Sequence, residues 1–189
     1  MDSAPAAGEV RAARAFVGLG ANLGEPGRAI AGAIRAIAAL PGTRLVALSS
    51  LYRSAPVDAA GPDFLNAVAQ ISTSLEPLAL LRELQAIEQG EGRERPYRNA
   101  PRTLDLDLLL YDDLVLAGPV LELPHPRMHS RAFVLRPLAE LDPALRIPGR
   151  GTLNTLLSEC SDQRIEVVLS PEALLGESLA EPEFVTARS

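Results

Sequence analysis

Asp105 and Asp107 alternate with leucines in the run Leu104-Asp105-Leu106-Asp107-Leu108. A period of two belongs to a strand with one apolar and one polar face. Both carboxylates then project from the same face, roughly 6–7 Å apart along the chain. Like charges that close repel unless a cation lies between them. Mg²⁺ takes oxygen ligands of this kind and keeps waters or substrate phosphates in its other positions. The strand therefore suits one ion, or two at the roughly 3.5–4 Å spacing of two-metal sites. Arg93, Arg95, Arg98 and Arg102 precede it. Anionic metal ligands beside a guanidinium cluster are what a metal-bound polyphosphate requires. The same residues also suit an amphipathic edge strand with its aspartates in water and a solvated arginine loop.

His125 and His129 stand four apart, a spacing that binds zinc on a helix. Pro124 and Pro126 flank His125 and argue against a regular helix through both histidines. A hydrogen bond from His125 to a nucleotide phosphate and a structural loop histidine are equal readings, and Arg131, six residues on, adds to the first. Phe64 and Asn66 share one face of a strand-like segment, where a ring and an amide can stack on and hydrogen-bond a flat heterocycle. Such a pair is more often simple packing. Gly18-Leu19-Gly20-Ala21-Asn22-Leu23-Gly24 follows a strand and precedes a helix, but its spacing is not that of a dinucleotide fingerprint. Its glycines are assigned to a tight turn. No G-x-x-x-x-G-K-[ST] loop occurs, so a phosphate site here must rest on arginines and metal.

The elements that would position these residues follow from the rest of the chain. At 189 residues it is long enough for one domain with a full core. Apolar content of 47% against 22% charged marks a globular protein rather than a disordered one. A net charge of −6 argues against a nucleic-acid binder and makes the arginine run a local feature, suited to a pocket. No apolar run approaches the ~20 residues of a membrane span, and the N-terminus lacks the order of a signal peptide. The single Cys160 excludes an intramolecular disulfide and fits a reducing compartment, so the expected location is cytoplasmic.

Residues 1–13 read as a flexible leader, 14–169 as one domain and 170–189 as an acidic, mobile tail. Ala15 to Gly20 is a first strand. Pro26 opens a helix carrying Ile30, Ile34 and Ile37, which Pro41-Gly42 stops. Leu45 to Arg53 reads as a second strand and Phe64 to Thr73 as a third. A helix with Leu80, Leu84 and Ile87 starts between Ser74 and Pro77 and ends at Gly90. The arginine loop, 91–101, leads into the aspartate strand, and Asp112-Asp113 turns it. Short strands follow near Leu114 to Leu116 and Val120 to Leu123. Ser130 to Leu141 is a helix that Pro137 should interrupt. Leu153 to Leu157 adds a helix and Ile165 to Leu169 an apolar element. The irregular alternation predicts an α+β protein, a ferredoxin-like sandwich whose mainly antiparallel sheet has helices packed on it.

With these blocks in order, the chain from about Ala15 to about Pro148 resembles the 6-hydroxymethyl-7,8-dihydropterin pyrophosphokinases of folate biosynthesis. The likeness is carried by Val17 through Gly24, Ser49-Ser50-Leu51-Tyr52-Arg53-Ser54, Phe64-Leu65-Asn66-Ala67, Gly92-Arg93, Pro101-Arg102-Thr103-Leu104-Asp105-Leu106-Asp107, Leu123-Pro124-His125 and Arg131-Ala132-Phe133. The resemblance implies a ferredoxin-like fold and transfer of pyrophosphate from ATP to the pterin hydroxymethyl oxygen, releasing AMP. By it, Asp105 and Asp107 hold two Mg²⁺ ions, while Arg93 and Arg102 engage the phosphates through forked guanidinium contacts. Gln85, Glu88, Arg93, Arg95, Arg102, Leu108, His125 and Arg131 fall at the nucleotide. Ser54, Ala55, Val57, Phe64, Asn66 and Phe133 fall at the pterin, whose ring Phe64 and Phe133 would sandwich.

It also implies that the loops 54–63 and 91–101 are covers that close over substrate. Its partners are the two small substrates, with no nucleic acid or membrane, and other folate-pathway enzymes are candidates for docking. The chain departs from the family at Asn99, where many members carry Trp, at Pro126, which replaces an aromatic, and in an arginine loop about one residue shorter. Two other classes fit parts of the pattern. A Mg-dependent nucleotide phosphohydrolase would use the aspartates and arginines but leave the Phe64–Asn66 pocket without a purpose. A ligand-binding module would survive loss of both aspartates.

Overall fold

The computed structural model describes residues 11–56, 61–90 and 103–176. The chain enters through β1 (Ala13–Ala21), crosses in α1 (Pro26–Ala38) and continues into β2 (Thr43–Leu48) and β3 (Leu51–Ser54). It returns in β4 (Phe64–Thr73), crosses again in α2 (Pro77–Gly90) and runs out along β5 (Asp105–Tyr111). A short hairpin, β6 (Leu116–Ala117) with β7 (Glu122–Leu123), precedes a 3-10 turn at Met128–Ser130 and then α3 (Ala132–Leu141). After the hairpin of β8 (Arg146–Ile147) and β9 (Gly151–Thr152) come α4 (Leu153–Glu159), β10 (Ile165–Leu169) and α5 (Pro171–Gly176).

The main sheet has the order β10-β3-β4-β1-β5, with β2 also on β4, and its pairings are antiparallel. With β2 and β3 taken as halves of one strand, this is the ferredoxin-like β-α-β-β-α-β arrangement, and β10 extends one edge. The sequence pattern predicts one strand from Leu45 to Arg53; the fold breaks it at Ser49-Ser50. The Ser49 hydroxyl accepts the Val68 N–H at 2.9 Å and donates to the Ser50 carbonyl, while the Ser49 N–H donates to the Val68 carbonyl. A serine that satisfies the backbone locally makes such a break inexpensive.

Alternation along β1 divides the interior into two layers. Ala15, Val17, Leu19 and Ala21 face Ile30, Ile34 and Ile37 of α1 and Leu80 and Leu84 of α2. Phe16 faces the other way, toward Val134, Leu135 and Leu138 of α3 and Leu153 and Leu156 of α4. Each fully buried large aliphatic contributes about 1.5–3 kcal/mol. The pairing of β1 with β5 shifts between Phe16 and Val17, leaving Leu109 as an extra residue. Leu109 and Leu110 consequently both join the α3–α4 layer, which explains why leucines replace strict alternation there.

Three expectations change. The tight turn assigned to the glycines holds for Gly24 alone, φ +61°, while Gly18 and Gly20 lie inside β1, within the Ala15–Gly20 strand that the sequence also predicts. The helix expected from Ser130 starts at Ala132 because Arg131 is extended, and it runs on through Pro137. The tail expected to be mobile from residue 170 instead begins with α5, because Leu174, 1% exposed, packs into the α1–α2 layer. Among the described residues no helix is long and apolar enough to cross a membrane.

Candidate functional site

Leu106 and Leu108 are buried in the α1–α2 layer, so Asp105 and Asp107 turn to the opposite face of β5, the side on which α3 lies. Beside them on β1 stand Gly20, paired with Asp105, and Gly18, paired with Asp107. Across Gly20 on β4 is Asn66, whose own neighbour on β3 is Tyr52. From β5 to β3 this face therefore presents a carboxylate, a bare glycine, an amide and a phenol. A Cβ on Gly20 would lie 3.5 Å from Asn66 Oδ1, and one on Gly18 would lie 3.4 Å from Leu109 Cδ1. Gly20 opens a floor between Asp105 and Asn66, whereas the buried Leu109 side chain packs over Gly18. Sequence reasoning misses this role, although the pattern carries a signal for it: glycines with a period of two in a strand mark a close approach by another group.

Asn66, 5% exposed, donates from Nδ2 to Ser54 Oγ at 3.0 Å and to the Phe64 carbonyl at 3.5 Å. Ser54, Phe64 and Asn66 thus form one connected corner at the joint of β3 and β4, with Ala55 exposed just beyond it. Phe133, half-buried, stands in the first turn of α3, and the Arg131 guanidinium lies 5.4 Å from the centre of its ring.

His125 is tied to the aspartate strand, its N–H donating to the Leu109 carbonyl at 2.9 Å. Its Nδ1 accepts the Arg127 N–H at 3.3 Å, and its Nε2 lies 3.9 Å from Asp107 Oδ1. Burial is the main cause holding the imidazole below its usual pKa; Asp107 and Asp105 oppose this, while Arg131 and Arg127 add to it. An Nδ1 that accepts a hydrogen bond assigns the proton of a neutral ring to Nε2, on the Asp107 side. His129 lies in the 3-10 turn, so the pair does not share an α-helix. Among the described residues no group of three His, Cys, Asp or Glu side chains could hold a metal by itself.

The residues expected at the nucleotide are dispersed. Glu88 is 1% exposed, and its Oε1 accepts the Leu106 N–H at 2.8 Å, which fastens α2 to the strand between the two aspartates. The Leu108 side chain is buried on the opposite face from the carboxylates, and Gln85 is exposed on α2. Arg131 and His125 both bear on the Asp107 corner. Val57, Arg93, Arg95, Arg98 and Arg102 lie outside the described residues, as does Asn99.

Residues 16–143 match the family described as 7,8-dihydro-6-hydroxymethylpterin-pyrophosphokinase (HPPK). The chain is 51% identical over 154 residues to the 2-amino-4-hydroxy-6-hydroxymethyldihydropteridine pyrophosphokinase of Pseudomonas aeruginosa, covering 81% of this chain and 95% of that one. The enzyme of the same name from Haemophilus influenzae is 42% identical over 158 residues, covering 83% and 98%. Among solved structures, wild-type Plasmodium falciparum HPPK-DHPS superposes with a TM-score of 0.63 at 14% identity. That match covers 79% of this chain and 45% of the other, so the chain spans less than half of that protein and shares its fold over that part. On the strength of the family match and of these two bacterial relatives, the chain belongs to the 7,8-dihydro-6-hydroxymethylpterin-pyrophosphokinase family.

Proposed function

We infer that the protein transfers pyrophosphate from ATP to 6-hydroxymethyl-7,8-dihydropterin, giving the pterin diphosphate and AMP in folate biosynthesis. One observation carries this reading beyond family membership. A single sheet face holds a carboxylate pair at one end and the Ser54–Phe64–Asn66 corner at the other, with the bare Gly20 between Asp105 and Asn66. A polyphosphate and a flat heterocycle laid across that floor would meet at the middle.

The hydroxymethyl oxygen attacks the β-phosphorus of ATP and loses its proton, and the bond from that phosphorus to the α,β-bridging oxygen breaks as AMP leaves. Such a transfer asks mainly for positioning and charge stabilisation. Asn66 and Ser54 would read the pterin edge, with Phe64 and Phe133 covering its faces and Ala55 and Val57 closing the rim. The neutral His125 would offer its Nε2–H to a phosphate oxygen, and Arg131 a positive charge. Arg93 and Arg102 would answer the charge that develops on AMP, with Arg95 and Gln85 toward the nucleotide; the buried Glu88 and Leu108 would serve by fixing the strand that carries the aspartates. Asp105 and Asp107 supply hard oxygen donors on one open face, and this donor set fits Mg²⁺ with phosphate and water as its remaining ligands. Bound there, two Mg²⁺ ions would neutralise the triphosphate and favour ionisation of the hydroxyl. The loops 54–63 and 91–101 would act as covers. The unpaired Cys160 suits a cytoplasmic setting, and other folate-pathway enzymes are the partners we expect.

Incubation with ATP, Mg²⁺ and the pterin, followed by identification of the nucleotide, tests this directly. AMP formed in step with pterin consumption is the expected result. Phosphate, pyrophosphate or ADP released at the same rate without pterin would instead make the protein a nucleotide phosphohydrolase.

A further inference from the structure

Arg131 is the hinge between the 3-10 turn and α3, with an extended backbone at φ −127° and ψ 107°. As the N-cap of α3 it makes no side-chain capping bond of its own. Gln163, which lies beyond the matched residues 16–143, spans that hinge from the loop after α4. Its Oε1 accepts the Ala132 N–H at 2.9 Å, and its Nε2 donates to the Ser130 carbonyl at 2.9 Å. One amide thus binds the chain on both sides of Arg131. The Ala132 N–H is among the donors that a helix start leaves unpaired, so the clasp caps α3 from a distant segment.

The base of the clasp is firm. The Gln163 N–H donates to the Cys160 carbonyl at 3.1 Å, and Cys160 is buried with Leu153 and Leu156 in the layer that holds Leu135 and Leu138. Only a side-chain amide offers a donor and an acceptor side by side in fixed geometry for this purpose. We propose that Gln163 is a positioning residue for the substrate site, fixing Arg131 and Phe133 by bridging the backbone on both sides of Arg131. The proposal rests on the reading that those two side chains meet nucleotide and pterin.

The test uses Q163M, which keeps the size of the side chain and removes both hydrogen bonds, and Q163E, which keeps the acceptor alone. Thr152→Ala is the control, since Thr152 caps α4 in the same layer and its hydroxyl bonds to Thr155, not to the segment around Arg131. Q163M should raise KM for pterin and ATP by about tenfold, as loss of two hydrogen bonds allows, with a smaller change in kcat. Pterin affinity measured by fluorescence with a non-hydrolysable ATP analogue should fall in parallel, and Q163E, which sets a carboxylate oxygen against the Ser130 carbonyl, should fall at least as far. Thr152→Ala should lower Tm and leave both KM values alone. Should Q163M lower Tm as Thr152→Ala does, with wild-type KM and affinities, Gln163 is structural only and the proposal is overturned. Should Q163M not fold, unaltered KM values in Q163E overturn it equally. Absence of pterin turnover in the wild-type protein would overturn the pyrophosphokinase reading itself, a result distinguishable from unchanged KM values in an active enzyme.

Discussion

Replacing one member of the Asp105–Asp107 pair deletes a metal ligand and also relieves a repulsion between neighbouring carboxylates. Asp107→Asn should lower turnover on the order of a hundredfold or more while the protein stays folded in metal-free buffer. A large fall in Tm would make the carboxylate structural. Gly20 sets the converse case. Alanine at a strand glycine usually stabilises by about 0.5–1 kcal/mol, and a Cβ here meets nothing closer than 3.5 Å. Gly20→Ala should fold at least as well as wild type, yet raise the pterin KM, because the methyl group stands on the floor between Asn66 and the aspartates. Equal KM values with and without the methyl would remove the floor from the site. His125 adds a pH dependence. Burial holds its folded pKa below the usual 6.5, so the unfolded chain binds the proton more readily. Its contribution to stability is complete above pH 6.5 and is lost as pH falls from 6.5 through the folded value. His125→Gln should flatten that part of the Tm–pH curve, measured without metal.

Between elements, the most consequential contacts join residues remote in sequence. Glu140, near the end of α3, accepts the Ser50 N–H at 3.0 Å, the Ser50 hydroxyl at 2.8 Å and the Tyr52 hydroxyl at 2.8 Å. Burial first, and then the bond and charge of Glu140, push the Tyr52 pKa up to about 12, so the phenol stays a donor at neutral pH. Glu140→Ala should destabilise by about 1–2 kcal/mol and also weaken pterin binding, since α3 carries Phe133 two turns from this anchor. Unchanged pterin affinity at reduced Tm would confine Glu140 to stability. These contacts also mark the limit of what the sequence makes legible. The period of two around Asp105 and Asp107 locates β5 and the face of both carboxylates, and the isoleucines of α1 locate its buried stripe. The break at Ser49-Ser50 is invisible, because serine suits a strand as well as a break, and Glu140 decides between them from across the fold. Gln163 reads as an ordinary polar loop residue until the tertiary structure places it at the start of α3.

At the scale of the whole molecule, one sheet separates two layers with different duties. The α1–α2–α5 layer packs against the face that carries Leu106 and Leu108; α3 and α4 share the other face with Asp105, Asp107 and Asn66. Stability and substrate recognition should consequently respond differently to equal losses of volume on the two sides. Leu174 of α5 and Leu138 of α3 are each buried to 1% exposure or less. Truncating either to alanine should cost about 2–5 kcal/mol from lost transfer energy and the cavity left behind. On the α5 side the sheet stands between that cavity and the site, so Leu174→Ala should lower Tm while leaving both KM values near wild type. Leu138 lies in the helix that carries Phe133 and Glu140, so Leu138→Ala should lower Tm comparably and raise the pterin KM as well. Equal KM values in the two variants, measured well below both transitions, would show that α3 is a passive cover rather than part of the recognition surface.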